Sequence, residues 1–198
     1  EVSVVRDGMY AGITLRDFVR KRPADLFGKA RAGQEQFPLL VKLLDARENL
    51  SVQVHPDDAL GRELANDSGK TEAWVVLHAE PGSVLYAGLK PGVDRRALER
   101  GIANGEVEPL LHRIEPKPGD CILVEAGTVH ALGEGVVIAE FQQMSDATFR
   151  VFDWNRVGAD GRPRELHVEK AMRCIDFDRG PVDPVVPVPQ VLENGDVR

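Results

Sequence analysis

From Leu50 to His55 the chain alternates apolar and polar side chains at every step, which is the two-residue period of a β-strand. Leu50, Val52 and Val54 fall on one face, and Ser51, Gln53 and His55 on the other. Pro56, which has no N–H to donate, ends the ladder. Asp57 and Asp58 follow where a helix start favours acids, so Pro56 to Ala65 reads as a helix. Further strands are expected at Phe37–Leu44, Thr71–Leu77, Ser83–Ala87, Cys121–Val124, Thr128–Ala131, Val136–Phe141 and Thr148–Phe152, and more weakly at Glu1–Val5. The Phe37–Leu44 run is apolar enough for a buried strand, interrupted only by Lys42, which reads as an edge-strand lysine snorkelling to water. Thr14 and Asp17 frame a capping box for a short helix whose apolar face is Leu15, Phe18 and Val19. Asp94 to Arg100 reads as a helix closed by Gly101, with shorter helices at Glu106–His112 and Glu165–Cys174. Pro23–Gly28, Pro81-Gly82, Pro118-Gly119-Asp120 and Ala126-Gly127 are turns. Short strands between Pro/Gly turns, with helices inserted and not alternating, predict a mainly antiparallel β fold, a sandwich or barrel, over βαβ units. The four prolines between Pro181 and Pro189 predict an extended segment outside any central sheet.

Composition adds bounds to this picture. The 198 residues suffice for one domain with a real core. Hydrophobic residues make up 42% and charged residues 29%, ordinary for a globular protein. A net charge of −7 argues against nucleic-acid binding, but a few local Lys or Arg can still receive a small anion. No apolar run approaches the roughly 20 residues of a membrane span. Cys121 and Cys174 lack the spacing of a zinc or redox pair and read as reduced core residues of a cytoplasmic protein.

Four residues suit one divalent metal: Gln53, His55, Glu72 and His130. Gln53 and His55 reach the same side of one strand, while Glu72 and His130 lie on separate strands that a barrel brings alongside. Two imidazoles, a carboxylate and an amide oxygen, with a water, fit zinc or a similar first-row ion. His78 shares the predicted face of Glu72, Trp74 and Val76, but six strand residues span about 20 Å, so it reads as a surface or packing histidine. His112 reads as structural or exposed, and Trp74 and Trp154 as core.

Gly119, then Glu125-Ala126-Gly127 and His130, resembles the second motif of the cupin superfamily, with Glu125 where that motif has Pro. Gln53-Val54-His55 stands where the first cupin motif has His-x-His. Ser51-Val52-Gln53-Val54-His55-Pro56-Asp57-Asp58, Gly69-Lys70-Thr71-Glu72-Ala73-Trp74, Ala126-Gly127-Thr128-Val129-His130-Ala131 and Glu140 to Trp154 together resemble the cupin-type, type I mannose-6-phosphate isomerases. The likeness implies a cupin-type antiparallel β-barrel or jelly roll over residues 1–179, with an N-terminal helix, inserted helices and a Pro-rich extension at 180–198. It implies zinc-dependent interconversion of mannose 6-phosphate and fructose 6-phosphate. The family's metal ligands map onto Gln53, His55, Glu72 and His130, and its catalytic arginine onto Arg150. Lys42 and Lys70 map onto active-site lysines that hold phosphate or the oxyanion, and Ser51 and Glu140 onto pocket positions. Glu140, Lys70 and a metal-bound water are open as proton carriers. The plain alternative for Arg150 is a surface ion pair with Asp146 or Asp153. Two other functions are weighed: a sugar-phosphate-binding cupin without turnover, and an iron oxygenase. The expected partner is a small sugar phosphate, with no nucleic acid and no membrane, and the oligomeric state is open. The chain opens on Glu1, and family members carry more chain at both ends, so a compact and a truncated variant both stay open.

Overall fold

A computed structural model describes residues 3–28, 35–158, 161–185 and 188. Two compact units divide the chain at Leu39. In the first, Val4 forms an isolated antiparallel bridge with Thr14, which then caps α1 (Leu15–Lys21). Thr14 Oγ1 accepts from Asp17 N at 3.0 Å and donates to the Asp17 carboxylate, the capping box expected with Asp in the place of Glu. Residues expected to form only a turn make a second short helix, α2 (Pro23–Phe27), with Pro23 at its first position.

The second unit, from Leu40 on, holds two antiparallel sheets. Its strands are β1 (Leu39–Ala46), β2 (Val52–Val54), β3 (Glu72–Ala79), β4 (Leu85–Leu89), β5 (Leu111–Ile114), β6 (Cys121–Val124), β7 (His130–Leu132), β8 (Val136–Gln143) and β9 (Phe149–Phe152). One sheet has the order β1-β8-β3-β6, the other β5-β4-β7-β2-β9. The mainly antiparallel β architecture agrees with the sequence, but the sheets stay separate and do not close into a barrel. Between them Trp74, Val76, Ile122 and Ile138 of the first sheet pack with Leu85, Ala87, Ile114 and Leu132 of the second. A second apolar cluster joins Val52, Val54, Phe149 and Val151 to α4 (Arg95–Asn104) and α5 (Val168–Cys174) through Leu98, Ala171 and Met172.

Several elements differ from expectation for identifiable reasons. β1 is an edge strand whose residues alternate between exposed and half-buried, so the apolar run there is not a buried strand. A register shift in the pairing of β3 with β8 between Val76 and His78 takes His78 off the inward face. It is exposed, as the surface reading expects, and pairs with Glu80. α4 is capped by Asp94 as expected but runs through Gly101 to a left-handed Gly105. Gly101 is there for close approach: a Cβ would sit 2.7 Å from Leu110 Cδ1 and 3.0 Å from Glu106 O. The expected helix at 106–112 is a single 3-10 turn at Glu108–Leu110 running into β5, on which His112 meets Asp183. α3 (Asp58–Ala65) begins one residue beyond its cap, Asp57, so Pro56 lies outside it. Cys174 is buried and Cys121 half-buried, both as free thiols.

The proline segment is extended up to Val185, but it is not free of the sheets. Val182 N donates to Ala87 O, and Val185 exchanges both backbone hydrogen bonds with Cys121 on the edge strand β6. Residues 186, 187 and 189–198 of the predicted extension lie outside the described residues. Where the segment crosses β4, Gly88 has a φ of +85° and a Cβ there would lie 2.1 Å from Gly180 O. Gly88→Ala is therefore expected to destabilise the fold by at least about 2 kcal/mol, from left-handed strain plus overpacking. Urea unfolding measures it; an unchanged midpoint contradicts the crossing.

Candidate metal centre

The two sheets meet at the start of β3, the end of β2 and the start of β7. Glu72 opens β3 with Trp74 and Val76 on the same inward face. Across the gap, Gln53 of β2 pairs in register with His130 of β7, and His55 follows β2 directly. Gly127, with a φ of +89°, donates its N–H to His55 O at 2.9 Å, so the glycine turn ahead of His130 also ties down His55. The ligand atoms of His55, Glu72 and His130 converge within 4.8 Å of one another, all buried. Gln53 lies beside the group, its amide Nε2 3.3 Å from His130 Nε2. All four residues expected as metal ligands are thus brought together, Glu72 from one sheet and the others from the second.

The donor set fits a divalent ion. His55 Nδ1–H donates to Ala147 O at 3.0 Å and His130 Nδ1–H to Thr128 O at 2.8 Å. A carbonyl can only accept, so each neutral ring carries its lone pair on Nε2, facing inward. Trp74 Nε1–H donates to Glu72 Oε1 at 2.9 Å and fixes the carboxylate rotation. His55 Nε2 and Glu72 Oε2 lie 3.4 Å apart, and both are buried without a well-formed hydrogen bond. Buried polar atoms without partners are costly, and a cation between them would satisfy both. Burial, reinforced by the nearby His55, lowers the His130 pKa to about 4, and burial likewise lowers that of His55. Burial alone would raise Glu72, but its close polar contact with the His55 ring, the positive charge that His130 and His55 take on when protonated, and the charge of Lys70 outweigh it and hold the carboxyl down to about 2. At neutral pH the cluster therefore offers two neutral imidazoles and a carboxylate, the protonation states a metal requires.

Cations surround the cluster. Lys70 is 6% exposed, with Nζ 3.5 Å from Glu72 Oε2, and burial lowers its pKa. Lys42 lies on the edge strand and keeps about a third of its side chain (35%) exposed, but its head group turns toward β8. Its Nζ reaches Glu140 Oε1 at 2.9 Å and also Gln142 Oε1, because β8 lies beside β1. Glu140 and Gln142 occupy alternate inward positions of β8, opposite Trp74 and Glu72. Ser51 is buried just before β2. Arg150 of β9 sits opposite Gln53 in register, which puts both on one face. Its guanidinium pairs with neither Asp146 nor Asp153; Nη1 donates to Glu165 O at 2.6 Å. Glu125 ion-pairs with Arg179. Three contributors went unread in the sequence: Gln142, Trp74 as the orienter of Glu72, and the carbonyls behind the two histidines. Only Trp74 had a signal, its two-residue spacing from Glu72.

The shifted groups set a sign for pH dependence. Unfolded, His130 takes a proton near its ordinary 6.5, while the folded ring resists protonation until about 4. Between those values the unfolded chain binds the extra proton, so stability falls as pH falls. Glu72 extends the loss from about 4.5 down to about 2. Chelator-treated protein is expected to show a urea midpoint that drops steadily from pH 6.5 to 4; a flat midpoint over that range contradicts the buried neutral imidazoles.

The family model described as phosphomannose isomerase type I, catalytic domain, matches residues 1–74. The chain is 42% identical over 178 residues to mannose-6-phosphate isomerase of Streptococcus mutans, covering 90% of this chain and 55% of that one. It is 41% identical over 175 residues to mannose-6-phosphate isomerase ManA of Bacillus subtilis, covering 88% and 54%. The crystal structure of mannose 6-phosphate isomerase from Bacillus subtilis superposes with a TM-score of 0.83 at 36% identity, covering 97% of this chain and 60% of that one. The chain thus spans little more than half the length of these relatives. Among the described residues no helix is long and apolar enough to cross a membrane. In sequence and in fold, the chain is related to the type I phosphomannose isomerases.

Proposed function

We propose that the chain catalyses the metal-dependent interconversion of mannose 6-phosphate and fructose 6-phosphate, with zinc as the ion and the cytoplasm as its setting. The observation that supports this most is the convergence of His55, Glu72 and His130 on one buried point, beside a lysine 3.5 Å from the carboxylate. Gln53, His55, Glu72 and His130 hold the ion, which when bound supplies a Lewis acid that polarises sugar oxygens without redox change. Aldose–ketose isomerisation moves a proton between C1 and C2 of the sugar through an enediolate. Arg150 supplies a fixed cation for the negative charge that develops on that enediolate. Lys42 and Ser51 bind substrate, Lys42 with its Nζ oriented by Glu140. Lys70, whose burial eases loss of its proton, and Glu140 are the two side chains proposed to carry the proton.

A coupled assay for fructose 6-phosphate made from mannose 6-phosphate tests the reading. Activity should vanish with chelator and return with zinc. Glu72→Gln and His130→Ala should each lose metal and activity together, whereas full activity in a metal-free variant overturns the assignment. Tight binding of mannose 6-phosphate without product would instead identify a binding protein. Arg150→Ala should lower kcat by about 10²–10³, the usual cost of removing one electrostatic partner of the transition state.

A further inference from the structure

The chain that follows β9 is built around another buried carboxylate. Asp153 is 7% exposed; its Oδ1 accepts from Arg156 Nη2 at 2.7 Å and from Arg164 Nη2 at 2.5 Å, and its Oδ2 accepts from Arg164 Nε at 2.7 Å. Burial alone would raise its pKa, but the hydrogen bonds from Arg164 and Arg156 lower it, so it stays ionised. Between Asp153 and Arg156 the backbone passes through two successive non-glycine residues in left-handed conformation, Trp154 at φ +57° and Asn155 at φ +56°. Such positions cost about 1–3 kcal/mol each and persist where the surroundings impose them. Here Trp154 Nε1 donates to Leu50 O at 2.7 Å, Asn155 Nδ2 to Gly105 O at 3.1 Å, and Arg156 Nη1 lies 3.0 Å from Glu48. The turn is thereby fixed to the connection that leads into β2.

What this frame holds is the strip immediately after Arg164. Glu165 O accepts Arg150 Nη1 at 2.6 Å. His167 Nδ1 accepts Arg150 N at 3.1 Å, and His167 N donates to Arg150 O at 2.8 Å. Arg150 is gripped at its backbone and at one end of its guanidinium, while its Nε is buried without a partner. A long side chain with a single carbonyl anchor depends on where that carbonyl is placed, and a misplacement of about 1 Å at a reacting group can cost 10²-fold in rate. We propose that Asp153 and Arg164 are positioning residues for Arg150: their ion pair sets the Glu165 carbonyl and, through it, the direction of the guanidinium. The proposal rests on the isomerase reading for its kinetic consequence but not for its geometry.

The test is a double-mutant cycle with a structural arm. Arg164→Ala is the variant of choice, because Asp153 keeps Arg156 and the carboxylate is not left unpaired. In zinc-loaded protein its kcat should fall about 10- to 100-fold, less than for Arg150→Ala, with KM and zinc content unchanged. Arg164→Lys, which keeps the charge but not the fork, should restore kcat in part. In the Arg150→Ala background, Arg164→Ala should cost nothing further, since its effect passes through the missing guanidinium. Additive losses overturn the proposal. So does a crystal structure of Arg164→Ala in which Arg150 Nη1 keeps its contact with Glu165 O, whatever the enzyme does. A zinc-loaded parent chain that makes no fructose 6-phosphate overturns the isomerase reading alone, and the crystal structure then decides the positioning.

Discussion

The buried carboxylate of Glu72 is the constraint on which the molecule turns. A lone ionised acid in an apolar interior is too costly to keep, so its partners must be within reach. They come from three directions: the Trp74 indole from its own strand, Lys70 from the connection before it, and His55 and His130 from the opposite sheet. Only if the two sheets approach at this end are those partners available. The aromatic and aliphatic layer behind it, Trp74, Val76, Ile122 and Ile138 against Leu85 and Leu132, sets that approach. Packing and electrostatics therefore specify the same sheet separation.

The polar residues around the centre are held by connections far apart in sequence. Lys42 is oriented by strand β8 about a hundred residues later, and His55 by the carbonyl of Ala147. Each contact is short and local in space, so the cluster is rigid only when the whole sheet order has formed. A site of this kind has no separate folding unit and shares its stability with the core.

How much of this was legible in the sequence follows from the physics of each signal. The alternation at Ser51, Gln53 and His55, the acid at Glu72 and the glycine turn before His130 are local patterns, and they pointed to side chains that the fold brings together. Lys42 carried two readings, an edge-strand lysine reaching water and a pocket lysine, and local pattern could not choose between them, because its partners are set by the neighbouring strand. His78 was placed on the face of Glu72 by simple alternation; the register shift after Val76 breaks that count and is invisible to periodicity. Gly101 looks like a helix terminator in any single sequence, since its reason, the methyl of Leu110, lies outside the helix. Gln142 and Asp153 carry no local signature at all. Their roles come from burial beside charged side chains that only the assembled sheets bring near.

The hydrogen bonds between Val185 and Cys121 have a colloidal consequence. β6 is an edge strand, and its outward Leu123 lies in a sheet whose outer surface also shows Leu77 and Phe141 to solvent. An apolar ribbon with free amides is a template on which another copy of a chain can add a strand. Val185 takes up the amide and carbonyl of Cys121, and its neighbour Pro184 has no N–H to offer a newcomer. Residues 180–185, which close over β4 at Gly88, thus also cover part of the β6 edge.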